Sequence, residues 1–225
     1  DEEPDNGQGL HMGIAYELAA STNAVTWTST NTTSVAHLIE IKVPDIQPVT
    51  LAAVGGEITT GTTPSFTPTA GATLIAFVAG RRASTPAQPT ISNTGTPLTW
   101  TPIRDTSYDD ASGTVTRMRS FWALVPSGPV ATVITGTVSN AGHTAIVVAE
   151  VQGNDLDFSN ENYGTDAAGD PTATLGNSPA STSTVLTAFA GVANASCTPS
   201  AGFTTLYDEE PDNGSGLHMG LAFDD

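Results

Sequence analysis

DEEPDNGQGLHMG at residues 1–13 returns as DEEPDNGSGLHMG at residues 208–220, with only Gln8 exchanged for Ser215. The likeness runs on, since Ile14-Ala15-Tyr16-Glu17 is matched by Leu221-Ala222-Phe223-Asp224. A match this long does not arise by chance, and a repeat governs every later step of a fold assignment. The 225-residue chain is therefore expected to open and close at the same point of a repeating unit. Each end then reads as part of a domain, and the chain as a window on a tandem array.

Working outward from the block, apolar alternation marks the strands. Leu10, Met12, Ile14 and Tyr16 share one strand face, with His11, Gly13 and Ala15 on the other. Residues 24–29 form a second strand, with Val25 and Trp27 pointing the same way. Residues 35–43 form a third, with Val35, His37, Ile39, Ile41 and Val43 on one face and Glu40 and Lys42 on the other. Pro44 ends it, because proline offers no amide to a ladder. Gly55-Gly56 and the Thr/Pro-rich run to Pro68 read as linker and edge strand. Residues 73–79 are a continuous apolar run, the mark of a central strand, and 81–89 a loop. Strands at 89–92, 98–104, 114–125, 130–138 and 143–151 follow, with an acidic loop at 105–113. Residues 156–180 are polar and rich in Gly, Pro and Asp, a linker or long loop. Then VLTAFAG at 185–191 echoes LIAFVAG at 74–80, and strands at 203–207 and 217–223 close the chain.

A shorter repeat lies inside the long one. The loop at 105–113 resembles 208–216, an offset of 103 residues, about half the 207 of the long repeat. ATVIT at 131–135 likewise resembles AVTWT at 24–28, and Glu150 stands in a strand like that of Glu40. The chain is thus read as all-β, built from tandem antiparallel β-sandwich modules, Ig-like or jelly-roll-like, of about 100 residues and seven strands. Residues 46–155 make one complete module. Residues 156–225 are the N-terminal strands of a second, and residues 1–45 the C-terminal strands of the module before it. Such remnants expose raw sheet edges. Completion is expected from chain outside this segment or from another subunit by strand complementation, with Trp27 packing on Phe189 of a neighbouring copy.

Composition narrows the function classes. Six Lys and Arg against 23 Asp and Glu give a net charge of −17. That opposes binding to nucleic acid, which needs cations to displace counterions, and to anionic membranes. No apolar run approaches the ~20 residues of a membrane-spanning helix. Cys197 is the one cysteine, expected as a small buried side chain.

The sharpest candidate chemistry lies in the acidic loops. Asp208, Glu210, Asp212 and Asn213, with Asp105 and Asp109 in the related loop, offer hard oxygens of the kind calcium takes. Their spacing is not that of an EF-hand, and Pro and Asn-Gly turn chemistry accounts for the same residues without a metal. No other cofactor is indicated. Trp27, Trp100 and Trp122 can stack on sugars, but each sits in an alternating strand that suits core packing. Arg117 and Arg119 are expected to pair with a neighbour's acidic loop. The four histidines read as exposed strand residues rather than ligands. No nucleophile elbow, phosphate loop or dinucleotide fingerprint is present.

TPSFTPTAGATL at 63–74, PTIS at 89–92, LTWTP at 98–102, RSFWALV at 119–125 and AIVVAEV at 145–151 together resemble a known pattern. It is similar to the β-sandwich repeats of minor tail, fibre and decoration proteins of tailed phages, especially those of actinobacteria. The resemblance covers most of residues 46–225. It implies a non-enzymatic structural or adhesion role in a virion or outside the cell, with no catalytic residues to carry over. Its partners would be other copies, neighbouring virion proteins or a host glycan.

Overall fold

The computed structural model describes residues 24–28, 34–42, 49–57, 59–109, 114–152, 157–166, 171–180, 183–191, 197–209 and 217–224. The strand expected at 10–16 lies outside these. Every element there is a β-strand. β1 (Ala24–Thr28) and β2 (Ser34–Lys42) come first. Next come β3 (Val49–Glu57), β4 (Thr60–Thr62), β5 (Thr73–Arg82) and β6 (Thr90–Thr94). β7 (Thr101–Asp109), β8 (Val115–Leu124), β9 (Val133–Thr137) and β10 (His143–Val151) follow. β11 (Glu161–Asp166), β12 (Thr172–Thr174), β13 (Ser183–Gly191), β14 (Thr198–Pro199), β15 (Thr204–Glu209) and β16 (His218–Asp224) complete the described set.

Strands β3 to β10 build one sandwich. A five-stranded antiparallel sheet, ordered β3-β10-β5-β8-β7, faces a three-stranded one, β4-β9-β6. The apolar run of β5 explains its central place, since both its faces are covered. Leu74, Ala76 and Val78 join Phe121, Ile134, Ile146 and Val148 in the core between the two sheets. Ile75, Phe77 and Ala79 belong to a second apolar cluster on the opposite face.

The other sandwich has the same plan, with sheets β11-β2-β13-β16-β15 and β12-β1-β14. Here the source of the strands differs from the expectation. β1 and β2 are not left to a neighbour. β2 inserts between β11 and β13 of its own chain, and β1 between β12 and β14. The Trp27–Phe189 contact sought between copies is made within one chain, at 5.6 Å between ring centroids. Trp27 is fully buried and its Nε1 donates to Thr187 Oγ1 at 3.2 Å. Burying a side chain of this size contributes roughly 3 kcal/mol toward holding the strand in place.

The two sandwiches match strand for strand, with the second circularly permuted in sequence. Glu150 lies opposite Leu74 as Glu40 lies opposite Val185. The outer pairs β7–β8 and β15–β16 carry a bulge at the same place, between Pro102 and Arg104 and between Thr205 and Tyr207. A Cβ on Gly55 would lie 2.2 Å from the Thr62 carbonyl oxygen, and one on Gly164 2.2 Å from that of Thr172. Glycine is kept at both because a neighbouring backbone occupies the side-chain space. The hydroxyl pair Thr62–Thr135 recurs as Thr172–Thr26. This register sets Val25 beside Ile134 in the comparison and Trp27 beside Gly136, two residues from the alignment that sequence likeness suggests.

β3 runs through Gly55 and Gly56, where a linker was expected, and β4 is an edge strand within the stretch where one was expected, while β11 and β12 lie inside the expected loop at 156–180. β7 and β15 extend through Asp105–Asp109 and Asp208–Glu209, so the acidic stretches begin as paired strand.

The two five-stranded sheets pack back to back, giving four layers of three, five, five and three strands. β10 lies on β16 as β2 lies on β8, and β3 on β15 as β11 on β7, an approximate two-fold relation. The shared face explains why β2 and β13 are buried on both sides.

Candidate functional site

The acidic candidates divide between the two sandwiches. Asp105 lies on β7 opposite Arg119 and beside Arg117, which grips it with two parallel bonds, Nε to Oδ1 at 2.8 Å and a terminal nitrogen to Oδ2 at 2.6 Å. Gln88 donates to the same Oδ2 at 2.6 Å. Burial alone would raise the Asp105 pKa, but the bonds from Arg117 and Gln88 and the charges of Arg117 and Arg119 outweigh it and hold the carboxyl below its ordinary value. Both oxygens are therefore committed to donors. The partner of Arg117 is this acidic residue of its own chain, where a neighbour's loop was expected. Arg119 donates to the Pro89 carbonyl at 3.2 Å and stacks over Phe121.

Asp208 holds the corresponding place on β15 and meets the opposite environment. Its Oδ1 accepts from the Cys197 amide at 3.3 Å and from the Cys197 thiol at 3.2 Å. Burial is the larger influence and pushes its pKa up, against those two bonds. The Cys197 thiol is itself pushed well above its ordinary value, first by burial and then by the Asp208 charge. Asp109 ends β7. Glu210, Asp212 and Asn213 lie outside the described residues. Among the described residues no three His, Cys, Asp or Glu side chains come together as metal ligands. The two ends of the candidate set sit on β7 and β15, which pack against β11 and β3 at different edges of the stack.

The tryptophans separate. Trp27 is core. Trp100 is half-buried against the first core, with Nε1 donating to Asn93 Oδ1 at 3.1 Å. Trp122 packs its ring on Phe158 at 5.5 Å and also lines an open cleft of about 370 Å³ with Pro97, Thr99, Thr101, Leu124 and Pro126. Proline, threonine and an aromatic edge around a shallow cleft suit a sugar face.

A larger open cleft, about 440 Å³, lies where β5 ends and β10 begins, lined by Arg81, Arg82, Thr114, Asn140 and His143 among others. It was missed from sequence because Arg81 reads as the start of a loop. The available signal is charge distribution: residues 46–155 hold all five arginines against six acidic residues, while the rest of the chain holds one lysine against 17. Residues 46–155 are thus nearly neutral and the rest of the chain strongly acidic.

His37 is the other residue the sequence misplaced. It is fully buried between the two five-stranded sheets, edge-on to Phe77 at 6.5 Å, where an exposed histidine was expected. Neither ring nitrogen has a hydrogen-bond partner. Its pKa is driven from 6.5 to about 3, chiefly by burial and then by the Arg104 charge, with Asp105 opposing.

Glu40, by contrast, is buried and satisfied. It accepts from the Ala180 amide at 3.0 Å, from Ser183 Oγ at 2.7 Å and from Asn160 Nδ2.

No known protein-family model matches the chain, and no curated protein matches it. Among solved structures, the membrane-inserted form of the Clostridium perfringens NetB toxin aligns over 97% of this chain and 92% of that one, at 4% identity and a TM-score of 0.09. A likeness at that level carries no argument about fold or function.

Proposed function

We propose that the chain is a non-enzymatic structural protein of a virion, part of a tail, fibre or capsid decoration, built from repeated β-sandwiches. The observation that carries this reading is the repeat: two sandwiches that agree down to one glycine–threonine contact and stack through their broad faces. Repetition of one unit serves an extended assembly, where each copy contacts its neighbours in the same way. The acidic surface keeps such particles apart in solution. Its partners are other copies of itself or neighbouring virion proteins, and its place is the virion or the extracellular medium. Calcium at Asp105 would first have to displace Arg117. The test is immunogold labelling with an antibody raised against the chain, on particles that encode it. Labelling of tail, fibre or capsid supports the role, and unlabelled intact particles refute it.

A second reading, a module that binds a host-surface glycan, is favoured by the Trp122 cleft. Glycan-array binding that is lost in Trp122→Ala and kept in Trp100→Ala supports it. An array with no binding removes it.

A further inference from the structure

The chain sets five arginines among 23 acidic residues, and their settings differ. Arg104 bonds Glu161, Arg117 grips Asp105, and Arg119 donates to the Pro89 carbonyl. Arg81 and Arg82 stand side by side at the end of β5, half-buried, and both line the open cleft of about 440 Å³. Among the described residues lining that cleft there is no Asp or Glu. Its frame is backbone. The Gly142 amide donates to the Arg81 carbonyl at 2.8 Å, which ties the turn before β10 to the end of β5. His143 then falls directly opposite Arg81 in the ladder. Asn140 accepts from the Ala87 amide through Oδ1, so what it has left to offer is its amide N–H groups. Guanidinium groups donate and never accept. With the Thr114 hydroxyl, the wall of the cleft is therefore rich in hydrogen-bond donors.

The second sandwich supplies an independent observation, because it repeats the same strands. Gly80 pairs with Thr144 as Gly191 pairs with Ser34. The adjoining residues in the sequence are Arg81, Arg82 and His143 in the first case, and Val192, Ala193 and Thr33 in the second. What the fold itself requires recurs in both copies, as Gly55 and Gly164 do. The basic group does not recur, so the needs of the sandwich do not account for it.

The chemistry of the wall narrows the ligand. A guanidinium fork matches the oxygens of a phosphate or a carboxylate with paired, charge-assisted bonds, and two adjacent forks match a double negative charge. The net charge of −17 limits its size. An extended polyanion would reach beyond the cleft to the acidic remainder of the chain, where repulsion acts over a screening length of ~8–10 Å. A compact anion stays among the cations. We propose that the cleft at the end of β5 is a binding site for a compact dianion, a phosphate monoester or a small dicarboxylate, gripped by Arg81 and Arg82 with His143 and Asn140 as further donors. This site does not depend on the virion role proposed above.

The test titrates the full chain with inorganic phosphate, with succinate and with a heparin oligosaccharide, following backbone amide shifts by NMR. Saturable shifts at Ala83, Gly142 and His143 are expected with phosphate or succinate, and the tighter of the two names the source of the dianion. Arg81→Gln and Arg82→Gln are each expected to weaken that binding about tenfold or more. Asn140→Asp keeps an oxygen for the Ala87 amide and adds a negative charge to the wall, so it is expected to weaken binding by a similar factor while the melting temperature holds. That variant gives the answer even if an arginine variant folds poorly. No saturable shift with either dianion overturns the proposal. So does binding that all three variants leave unchanged, which would place the anion elsewhere. Heparin bound more tightly than both dianions overturns the compact ligand.

Discussion

Replacing His37 by leucine is expected to stabilise the protein, and more so as the pH falls. The ring is fully buried and neither nitrogen is bonded. An unsatisfied buried polar group costs about 1–3 kcal/mol, and leucine has nearly the same volume with nothing to satisfy. The lost edge contact with Phe77 returns about 0.5–1 kcal/mol of that, so a net gain of roughly 1–2 kcal/mol is expected at pH 7.5. The pH dependence has a definite sign. His37 has a folded pKa near 3 against 6.5 when exposed, so the unfolded chain binds the proton first. Its linkage is absent above pH 6.5, and stability is lost progressively as pH falls from there toward 3. Each unit is worth about 1.4 kcal/mol, so at pH 5 the histidine costs roughly a further 2 kcal/mol. The charged neighbours act in both directions: Arg104 adds to the depression and Asp105 opposes it. Urea unfolding of parent and His37→Leu at pH 7.5 and pH 5.0 measures both quantities. A stability difference that does not change with pH refutes the burial of an uncharged His37. A variant less stable than the parent at both pH values refutes the cost assigned to its unpaired nitrogens.

Other substitutions probe the rest of the frame. Gly55→Ala and Gly164→Ala are expected to destabilise by similar amounts, about 3 kcal/mol or more, because each new methyl meets a backbone carbonyl that cannot move aside; unequal losses in thermal melts would break the equivalence of the two sandwiches. Glu40→Gln is expected to cost about 2–3 kcal/mol by urea titration, since an amide cannot accept from all three donors that converge on the carboxylate. Cys197 is expected to stay unmodified by a chromogenic disulfide reagent until urea unfolds the second sandwich, its thiol being buried and its pKa raised well above 9.0.

The strands that were legible are those whose burial is written locally. β5 and β13 are apolar runs, and β8 and β10 follow the same logic, so periodicity found them. β11 reads ENYGTD and β12 reads TAT. Neither has an apolar stripe, and at Gly164 the Thr172 carbonyl occupies the space a side chain would fill. The kinship of residues 24–42 with the second sandwich was legible from likeness to residues 131–151. That the same chain supplies those strands was not, since a repeat looks alike whether it closes on itself or on a neighbour. His37 and Glu40 alternate correctly along β2, yet their surroundings come from a second sheet and from residues 160–183, both far away in sequence. The acidic candidates were found as a cluster of letters. Their separation follows from partners no local pattern names, Arg117 for Asp105 and Cys197 for Asp208.

The stack of two like sandwiches raises a question of specificity, because each could pair with a copy of itself. Its edges answer it. Where β7 meets β11, Arg104 bonds Glu161 at 2.8 Å and lies 4.5 Å from the Tyr163 ring centroid. At the edge related by the approximate two-fold, where β3 meets β15, the register puts Leu51 in the place of Glu161 and Tyr207 in that of Arg104. Pairing two copies of the first sandwich would set Arg104 against Leu51, and two of the second would set Glu161 against Tyr207. Either leaves a charge without its partner in a partly dry contact, whereas the pairing observed sets Arg104 against Glu161 Oε1. Copying the apolar edge onto the ionic one tests this. Arg104→Tyr or Glu161→Leu alone is expected to cost about 1–2 kcal/mol in urea titration, and the double variant less than either. Losses that simply add would mean the two side chains act independently, and the edge could not select which sandwiches meet.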